Sequence, residues 1–179
     1  SSINASSVSW IQIAAPSRSI LEDYRALDTQ VRELAQRINE RYSRGSYQPV
    51  ILKIEHHEPE VINRYYRAAD VCMVTSLHDG MNLVAKEYIA SRDDDRGVLV
   101  LSQFTGAAHE LHEALIVNPY HIEQTADALY QALTMPAFEQ RERTARRPVG
   151  VDDRRDLVVG VQAQEFGRHL VVRGEVHKM

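Results

Sequence analysis

Blocks of apolar residues alternate with amphipathic stretches along most of the chain. Short apolar runs predict strands at residues 10–15, 50–54, 71–75, 98–101 and 114–117. Between them, apolar residues recur every three or four positions and predict helices at residues 20–42, 59–69, 83–91, 107–111 and 122–135. Strands that alternate with helices predict an α/β fold, a Rossmann-like parallel sheet with helices on both faces.

Two polar, glycine-containing turns follow neighbouring predicted strands. They stand at residues 76–82 and 102–106. In open parallel sheets, ligands bind at the carboxyl ends of the strands, where both turns lie. The pattern therefore predicts a ligand site at this edge of the sheet.

The first turn leads directly into a helix and is typical of an anion site. The free N–H groups and the dipole of a helix start favour negative charge. Gly80 permits a close backbone approach, and Asn82 suits either a helix cap or a ligand contact. Asp79 and Glu87 are eight residues apart, on the loop and inside the helix, so we do not expect a close carboxylate pair. For Lys86 we expect an ion pair or a solvated side chain.

The composition narrows the class of protein. A net charge of −4, with 44% hydrophobic and 26% charged residues, favours an ordinary soluble domain and gives no reason to expect nucleic acid or a membrane as a partner. No apolar run approaches the length of a transmembrane helix.

Cys72, the single cysteine, lies in an apolar run and is expected to be a buried thiol. A chain without disulfides fits a reducing compartment, so we expect a cytoplasmic protein.

The histidines do not form a convincing metal set. His109 and His112 are three residues apart, whereas the helical zinc-protease motif requires four. His56 and His57 follow a predicted strand, where a base or ribose could lie, but we favour solvent exposure. The glycine-rich phosphate-loop and dinucleotide fingerprints are absent from the sequence.

The composition changes near residue 137. Arginine becomes frequent, and the only later apolar runs are at residues 157–159 and 170–172. A basic patch for anionic ligands and a solvated tail both fit this composition, and we favour the tail.

Several motifs together closely resemble the trehalose-6-phosphate synthase family. They stand at residues 10–18, 67–71, 79–88, 97–104, 106–108 and 114–120. The resemblance covers residues 8–136 and implies the C-terminal half of a GT-B fold. It implies a UDP-glucose-binding Rossmann-like domain at residues 1–136. Residues 137–179 would then be a divergent arginine-rich tail, disordered or read out of frame.

The resemblance also implies an activity, the transfer of glucose from UDP-glucose to glucose 6-phosphate with retention of anomeric configuration. The product would be trehalose 6-phosphate, and neither a metal nor another cofactor is expected. Asp79 would contact the glucose hydroxyls, and the amides of Leu83 and Val84 would bind the diphosphate. Glu87 would hold the ribose. The implied UDP-glucose-binding residues are Asp79, Gly80, Met81, Asn82, Leu83, Val84 and Glu87. No catalytic residue is assigned within this chain.

Two alternatives stay open. Glucosylglycerol-phosphate synthases share most of these motifs and use glycerol 3-phosphate as acceptor, and a non-catalytic nucleotide-sugar-binding module would also carry them. The family's acceptor domain and the arginine and lysine that clamp the diphosphate are not in this sequence, and His78 stands where the family usually has arginine. We therefore expect weak UDP binding and little transferase activity from this chain alone. The resemblance allows a homo-oligomer at full length.

Overall fold

The computed structural model describes residues 8–14, 22–145 and 168–173. Residues 15–18 of the resemblance and most of the predicted tail lie outside these ranges. In chain order the elements are β1 (Val8–Ala14), α1 (Glu22–Tyr42), β2 (Val50–Ile54), α2 (Pro59–Ala68), β3 (Val71–Val74), α3 (Leu83–Ser91), β4 (Val98–Ser102), a 3₁₀ turn (Gly106–His109), β5 (Leu115–Val117), α4 (Ile122–Thr134), α5 (Ala137–Ala145) and β6 (Arg168–Arg173).

The strands form one sheet with the order β2-β1-β6-β3-β4-β5. The pairs β1–β2, β3–β4 and β4–β5 are parallel, as predicted. Strand β6 is antiparallel to both of its neighbours, β1 and β3. It contains the apolar run at residues 170–172, for which the pattern predicted no place in the sheet.

Helices cover both faces of the sheet because successive strand side chains point to opposite sides. Cys72 belongs to the core on the α2 and α3 face, together with Ile62 of α2 and Tyr88 of α3. Its neighbour Met73 belongs to the core on the α4 face, together with Ala132. The predicted class, a Rossmann-like α/β fold, is confirmed. None of the helices in the described ranges has the length and apolar character that a membrane span requires.

A buried arginine joins the ends of α2 and α3. Arg92 is 5% exposed, and its guanidinium donates to the carbonyl oxygens of Tyr66, Arg67 and Ala69 at 2.9, 2.7 and 2.8 Å. It also pairs with Asp94 at 2.9 Å. A cation is favourable at a helix C-terminus, where carbonyl groups lack intrahelical donors. Hydrophobic periodicity gives no signal for this contact.

Helix α5 was not predicted, and polar contacts anchor it. The Gly97 amide donates to Oε1 of Gln140 at 3.0 Å, and Nε2 of Gln140 donates to the Met135 carbonyl at 3.0 Å. Nη1 of Arg143 donates to the Glu113 carbonyl at 2.8 Å. Because these contacts do not require an apolar stripe, hydrophobic periodicity gives no signal for this helix.

Candidate functional site

The two predicted polar turns form one continuous structure at the carboxyl edge of the sheet. An isolated parallel bridge links Asp79 of the first turn to Thr105 of the second. The Asp79 amide donates to the Phe104 carbonyl at 3.3 Å, and the Gly106 amide donates to the Asp79 carbonyl at 3.1 Å. The position of each turn therefore depends on the other, and both lie at the carboxyl edge of the sheet, where they were predicted.

Gly106 is required by this close approach. A side-chain Cβ at this position would contact the backbone carbonyl oxygen of Gly80. Gly80 itself has no atom within 4 Å of the position that a Cβ would take. The glycine that the approach demands is thus Gly106 rather than Gly80.

The carboxylate of Asp79 braces its own turn. Oδ1 accepts from the Met81 and Asn82 amides at 3.3 and 3.0 Å. Oδ2 accepts from the side-chain amide of Asn82 at 2.9 Å. This pattern is the local aspartate turn that fixes a short loop. Asp79 is therefore held in one orientation, half-buried at the edge of the turn.

Asn82 caps the start of helix α3, which is one of the two roles predicted for it. Its Oδ1 accepts from the Ala85 amide at 3.0 Å, and its backbone has a left-handed φ of 53°. The helix starts at Leu83, so the amides of Leu83 and Val84 lie in the first turn, where no intrahelical acceptor exists. Met81 and Leu83 are 59% and 44% exposed, so the turn is open to solvent. Free amides and a helix dipole at an open turn make a site for an anion.

Glu87 lies one turn further along α3 and is 6% exposed. Its Oε2 accepts from the hydroxyl of Tyr66, on α2, at 3.1 Å. The Glu87 carboxylate is thus directed toward the α2–α3 contact, while that of Asp79 is directed into the loop. The prediction that the two carboxylates do not act as a close pair agrees with these separate partners.

Four other single-residue predictions can be compared with the structure. Lys86 forms an ion pair with Glu110 at 2.8 Å, which confirms that prediction. Cys72 is fully buried, also as predicted. The solvent exposure predicted for His56 is confirmed, because 70% of its side chain is exposed. The same prediction for His57 is wrong, because only 10% of its side chain is exposed. Its ring packs edge-on against Tyr65, with ring centres 6.1 Å apart.

Within the described part of the chain, no group of three His, Cys, Asp or Glu side chains could hold a metal ion.

Two buried hydroxyl residues of the second turn were not singled out from the sequence. Ser102 and Thr105 are 0% and 2% exposed. Oγ of Ser102 accepts from the Phe104 amide at 3.1 Å, and the Thr105 hydroxyl donates to the Ser102 carbonyl at 3.0 Å. Serine and threonine frequently bond to nearby backbone in turns. That tendency is the signal that could have identified them as the support of the site.

The fold and this edge define a class of protein: a Rossmann-like domain with a candidate anion site between a parallel strand and the helix that follows it. Residues 4–153 match the family model of glycosyltransferase family 20. The chain therefore belongs to glycosyltransferase family 20. The match continues beyond residue 136, where the resemblance read from the motifs ends.

Relatives and solved structures agree with this family. The trehalose-6-phosphate synthase of Enterobacter sp. (strain 638) is 47% identical over 139 residues, which are 77% of this chain and 29% of that protein. A structure described as trehalose-6-phosphate from E. coli bound with UDP-2-fluoro glucose is 46% identical, with a TM-score of 0.72, over 75% of this chain and 30% of that one. The UDP-forming α,α-trehalose-phosphate synthase from Burkholderia xenovorans, in complex with glucose-6-phosphate, is 43% identical, with a TM-score of 0.72 and the same coverage. The chain thus spans less than a third of the length of these proteins.

Proposed function

We propose that this chain is the donor-binding part of a UDP-forming trehalose-6-phosphate synthase, which transfers glucose from UDP-glucose to glucose 6-phosphate with retention of configuration. The observation that carries the proposal is the open start of α3 at the carboxyl edge of the sheet, in a chain of glycosyltransferase family 20. The relatives bound with UDP-2-fluoro glucose and with glucose-6-phosphate support the two substrates.

The amides of Leu83 and Val84 would bind the diphosphate and assist its departure. As the bond from the sugar to the phosphate breaks, the glucose becomes oxocarbenium-like and negative charge grows on UDP. Fixed N–H dipoles aimed at that charge stabilise the transition state, and one such donor is typically worth about 3 kcal/mol. In the proposed reaction the acceptor hydroxyl attacks from the leaving-group side, so it requires neither an enzyme nucleophile nor a metal.

The Asp79 carboxylate would accept a hydrogen bond from a hydroxyl group of the glucose. A carboxylate has roughly four acceptor positions, and the loop contacts with Met81 and Asn82 use three of them. A remaining lone pair can serve the sugar, and the loop bonds would hold it in a fixed direction. The backbone of residues 80–82 would line the same sugar.

Glu87 would hold the ribose hydroxyls by accepting hydrogen bonds. Since the side chain is 6% exposed and already accepts from Tyr66, a ribose would reach it only after neighbouring side chains move. The proposal therefore assigns the diphosphate contact to the exposed helix start and a ligand-induced contact to Glu87.

Charge substitutions at Met81 test the anion site directly. Met81 is exposed beside the helix start, so its side chain can be changed without removing a loop contact. In calorimetric titrations of the full chain with UDP, we expect Met81→Glu to weaken binding about tenfold, because a carboxylate near the diphosphate costs on the order of 1 kcal/mol. Met81→Gln, which has the same size without the charge, should stay within about twofold of the original affinity.

Tyr130→Glu serves as the distant control, because Tyr130 is 59% exposed on α4. It should bind UDP like the unchanged chain. Absence of UDP binding, or an equal loss with Met81→Glu and Met81→Gln, would refute the proposed donor site.

A further inference from the structure

Tyr66 is a buried polar residue at the contact between α2 and α3, and the proposed function assigns it no role. Its side chain is among the largest that are completely buried. Its hydroxyl donates to Oε2 of Glu87 at 3.1 Å, which joins two residues 21 positions apart in the chain. A phenylalanine ring would fill nearly the same volume, so packing alone does not account for the hydroxyl.

The ring and the backbone of Tyr66 are both held in place. The ring packs edge-on against the ring of Tyr88 on α3, with ring centres 6.0 Å apart. The Tyr66 carbonyl accepts from the Arg92 guanidinium at 2.9 Å. The same guanidinium binds the carbonyls of Arg67 and Ala69, so it holds the end of α2 beside α3. In a close-packed interior a side chain occupies one rotamer, so the Tyr66 hydroxyl is a donor at a fixed point.

A donor at a fixed point restricts the Glu87 carboxylate. Glutamate is among the side chains that lose most rotamer freedom when they become ordered. The hydrogen bond from Tyr66 orders Glu87 in the folded protein, before any ligand arrives. Because a carboxylate has roughly four acceptor positions, this bond does not prevent the same carboxylate from accepting further hydrogen bonds. Groups that are ordered in advance bind more tightly, since binding then costs less entropy.

The place of Glu87 on α3 relates it to the start of the helix. Glu87 follows Leu83 by four residues and Val84 by three, and residues at these spacings share a helix face. One helical turn, roughly 5 Å, separates them along the axis. In a nucleoside diphosphate the ribose is bonded directly to a phosphate group. A ligand anchored at the helix start would therefore have its ribose hydroxyls on the side of Glu87.

We propose that Tyr66 is a positioning residue for nucleotide binding, whose hydroxyl fixes the Glu87 carboxylate in the orientation that accepts the ribose hydroxyls. The inference rests on the proposed function for the ligand of Glu87 and adds the residue that strengthens the discrimination between ribose and a sugar without hydroxyls. When neighbouring side chains move to admit the ribose, the bond from Tyr66 keeps the carboxylate in place. Tyr66 acts through Glu87 and does not contact the nucleotide.

Two nucleotides and one conservative variant test the role in binding. Calorimetric titrations of the full chain with UDP and with 2′,3′-dideoxy-UDP, which lacks the ribose hydroxyls, measure the preference for ribose. In Tyr66→Phe we expect the affinity for UDP to fall about tenfold, the equivalent of one hydrogen bond. The affinity for dideoxy-UDP should stay within about twofold, because that ligand offers Glu87 no sugar hydroxyl. A variant that only loosened the helix contact would weaken the binding of both nucleotides.

Tyr88→Phe is the matched control. Tyr88 belongs to the same buried aromatic pair. Its hydroxyl donates to the Ala69 carbonyl at 3.4 Å, so the substitution removes a buried hydroxyl without removing the bond to Glu87. We expect this variant to keep the preference of the unchanged chain for UDP over dideoxy-UDP.

A measurement without nucleotide separates this proposal from the proposed function. In the full chain with isotope-labelled glutamate, NMR side-chain couplings report the rotamers of Glu87. We expect a single rotamer in the unchanged chain and in Tyr88→Phe. In Tyr66→Phe we expect averaging over several rotamers, because the fixed donor is lost.

The proposal is overturned if Glu87 keeps a single rotamer in Tyr66→Phe. It is also overturned if Tyr66→Phe weakens UDP and dideoxy-UDP alike, or if Tyr66→Phe and Tyr88→Phe reduce the preference for UDP equally. If the unchanged chain binds neither nucleotide, the proposed function fails, and the rotamers of Glu87 alone then decide whether Tyr66 is a positioning residue.

Discussion

At the scale of single residues, Asp79 has a structural role beside the binding role that we propose for it. Its carboxylate accepts three hydrogen bonds inside its own turn. Removal of that carboxylate would loosen the loop as well as any sugar contact, so an alanine variant cannot separate the two roles. Charge at the exposed Met81 is a cleaner probe of the same site.

Gly106 provides a prediction at this scale. In Gly106→Ala the new Cβ would contact the Gly80 carbonyl oxygen, so the two turns must separate. We expect the free energy of unfolding to fall by about 1–3 kcal/mol, the usual cost of overpacking, and UDP binding to weaken with it. Urea denaturation and a UDP titration measure the two effects.

The matched control is Gly80→Ala in the same pair of turns. A Cβ at this position meets no atom within 4 Å, so its unfolding midpoint should stay close to that of the unchanged chain. If both variants unfold at the same denaturant concentration, the close approach does not hold the turns together.

Local contacts of single residues were predictable, and distant ones were not. The cap at Asn82 reaches three residues along the chain, and a sequence pattern encodes it. The Arg92 guanidinium instead reaches carbonyls more than twenty residues earlier in the chain. Such contacts depend on how helices pack, which no local pattern records. The wrong prediction for His57 has the same cause, because Tyr65 on α2 covers it.

At the scale of elements, α3 connects the candidate site to the core. Asn82 caps its start, and Tyr88 near its end is buried against Tyr66, with ring centres 6.0 Å apart. Burial raises the pKa of Tyr88 well above its ordinary value, although the nearby Arg92 guanidinium lowers it in part. The helix therefore contains a buried phenol whose neutral form is favoured in the folded state.

This buried phenol predicts a pH dependence of stability. A tyrosine whose pKa is higher in the folded than in the unfolded state contributes stability that is complete below the unfolded pKa of about 10 and is lost as the pH rises further. Above about pH 10, the free energy of unfolding of the unchanged chain should fall more steeply than that of Tyr88→Phe, by up to about 1.4 kcal/mol per pH unit.

Denaturant titrations between about pH 8 and pH 11 measure how steeply the free energy of unfolding of each chain falls with pH. Tyr130→Phe is the control, because Tyr130 is 59% exposed and its loss should leave the slope unchanged. Parallel slopes for the unchanged chain and Tyr88→Phe would show that Tyr88 is not protonated preferentially in the folded state.

Each element that was predicted from the sequence has a recognisable pattern of apolar residues along the chain. Strands β3 and β4 are continuous apolar runs buried on both faces, as interior parallel strands require. Helix α5 has no such stripe and is held by Gln140 and Arg143, so periodicity missed it. Its place depends on partners in loops elsewhere in the chain.

At the scale of the whole molecule, the alternation of strands and helices predicted the parallel pairs of the sheet but not the order of its strands. The position of β6 was not predicted, because a short apolar run in an arginine-rich stretch is compatible with either a tail or a strand. The domain boundary at residue 136 stays a prediction. An isolated parallel bridge joins the turns of Asp79 and Thr105 at the carboxyl edge of the sheet.

In the proposed function, UDP binds through its diphosphate at the start of α3. The most direct measurement is a titration of the isotope-labelled full chain with UDP, followed through its backbone amide NMR signals. We predict that the amides of Leu83 and Val84 shift most and saturate together with the calorimetric binding curve. If UDP leaves these two signals unmoved, whether it shifts those of other residues or of none, UDP does not bind at the start of α3.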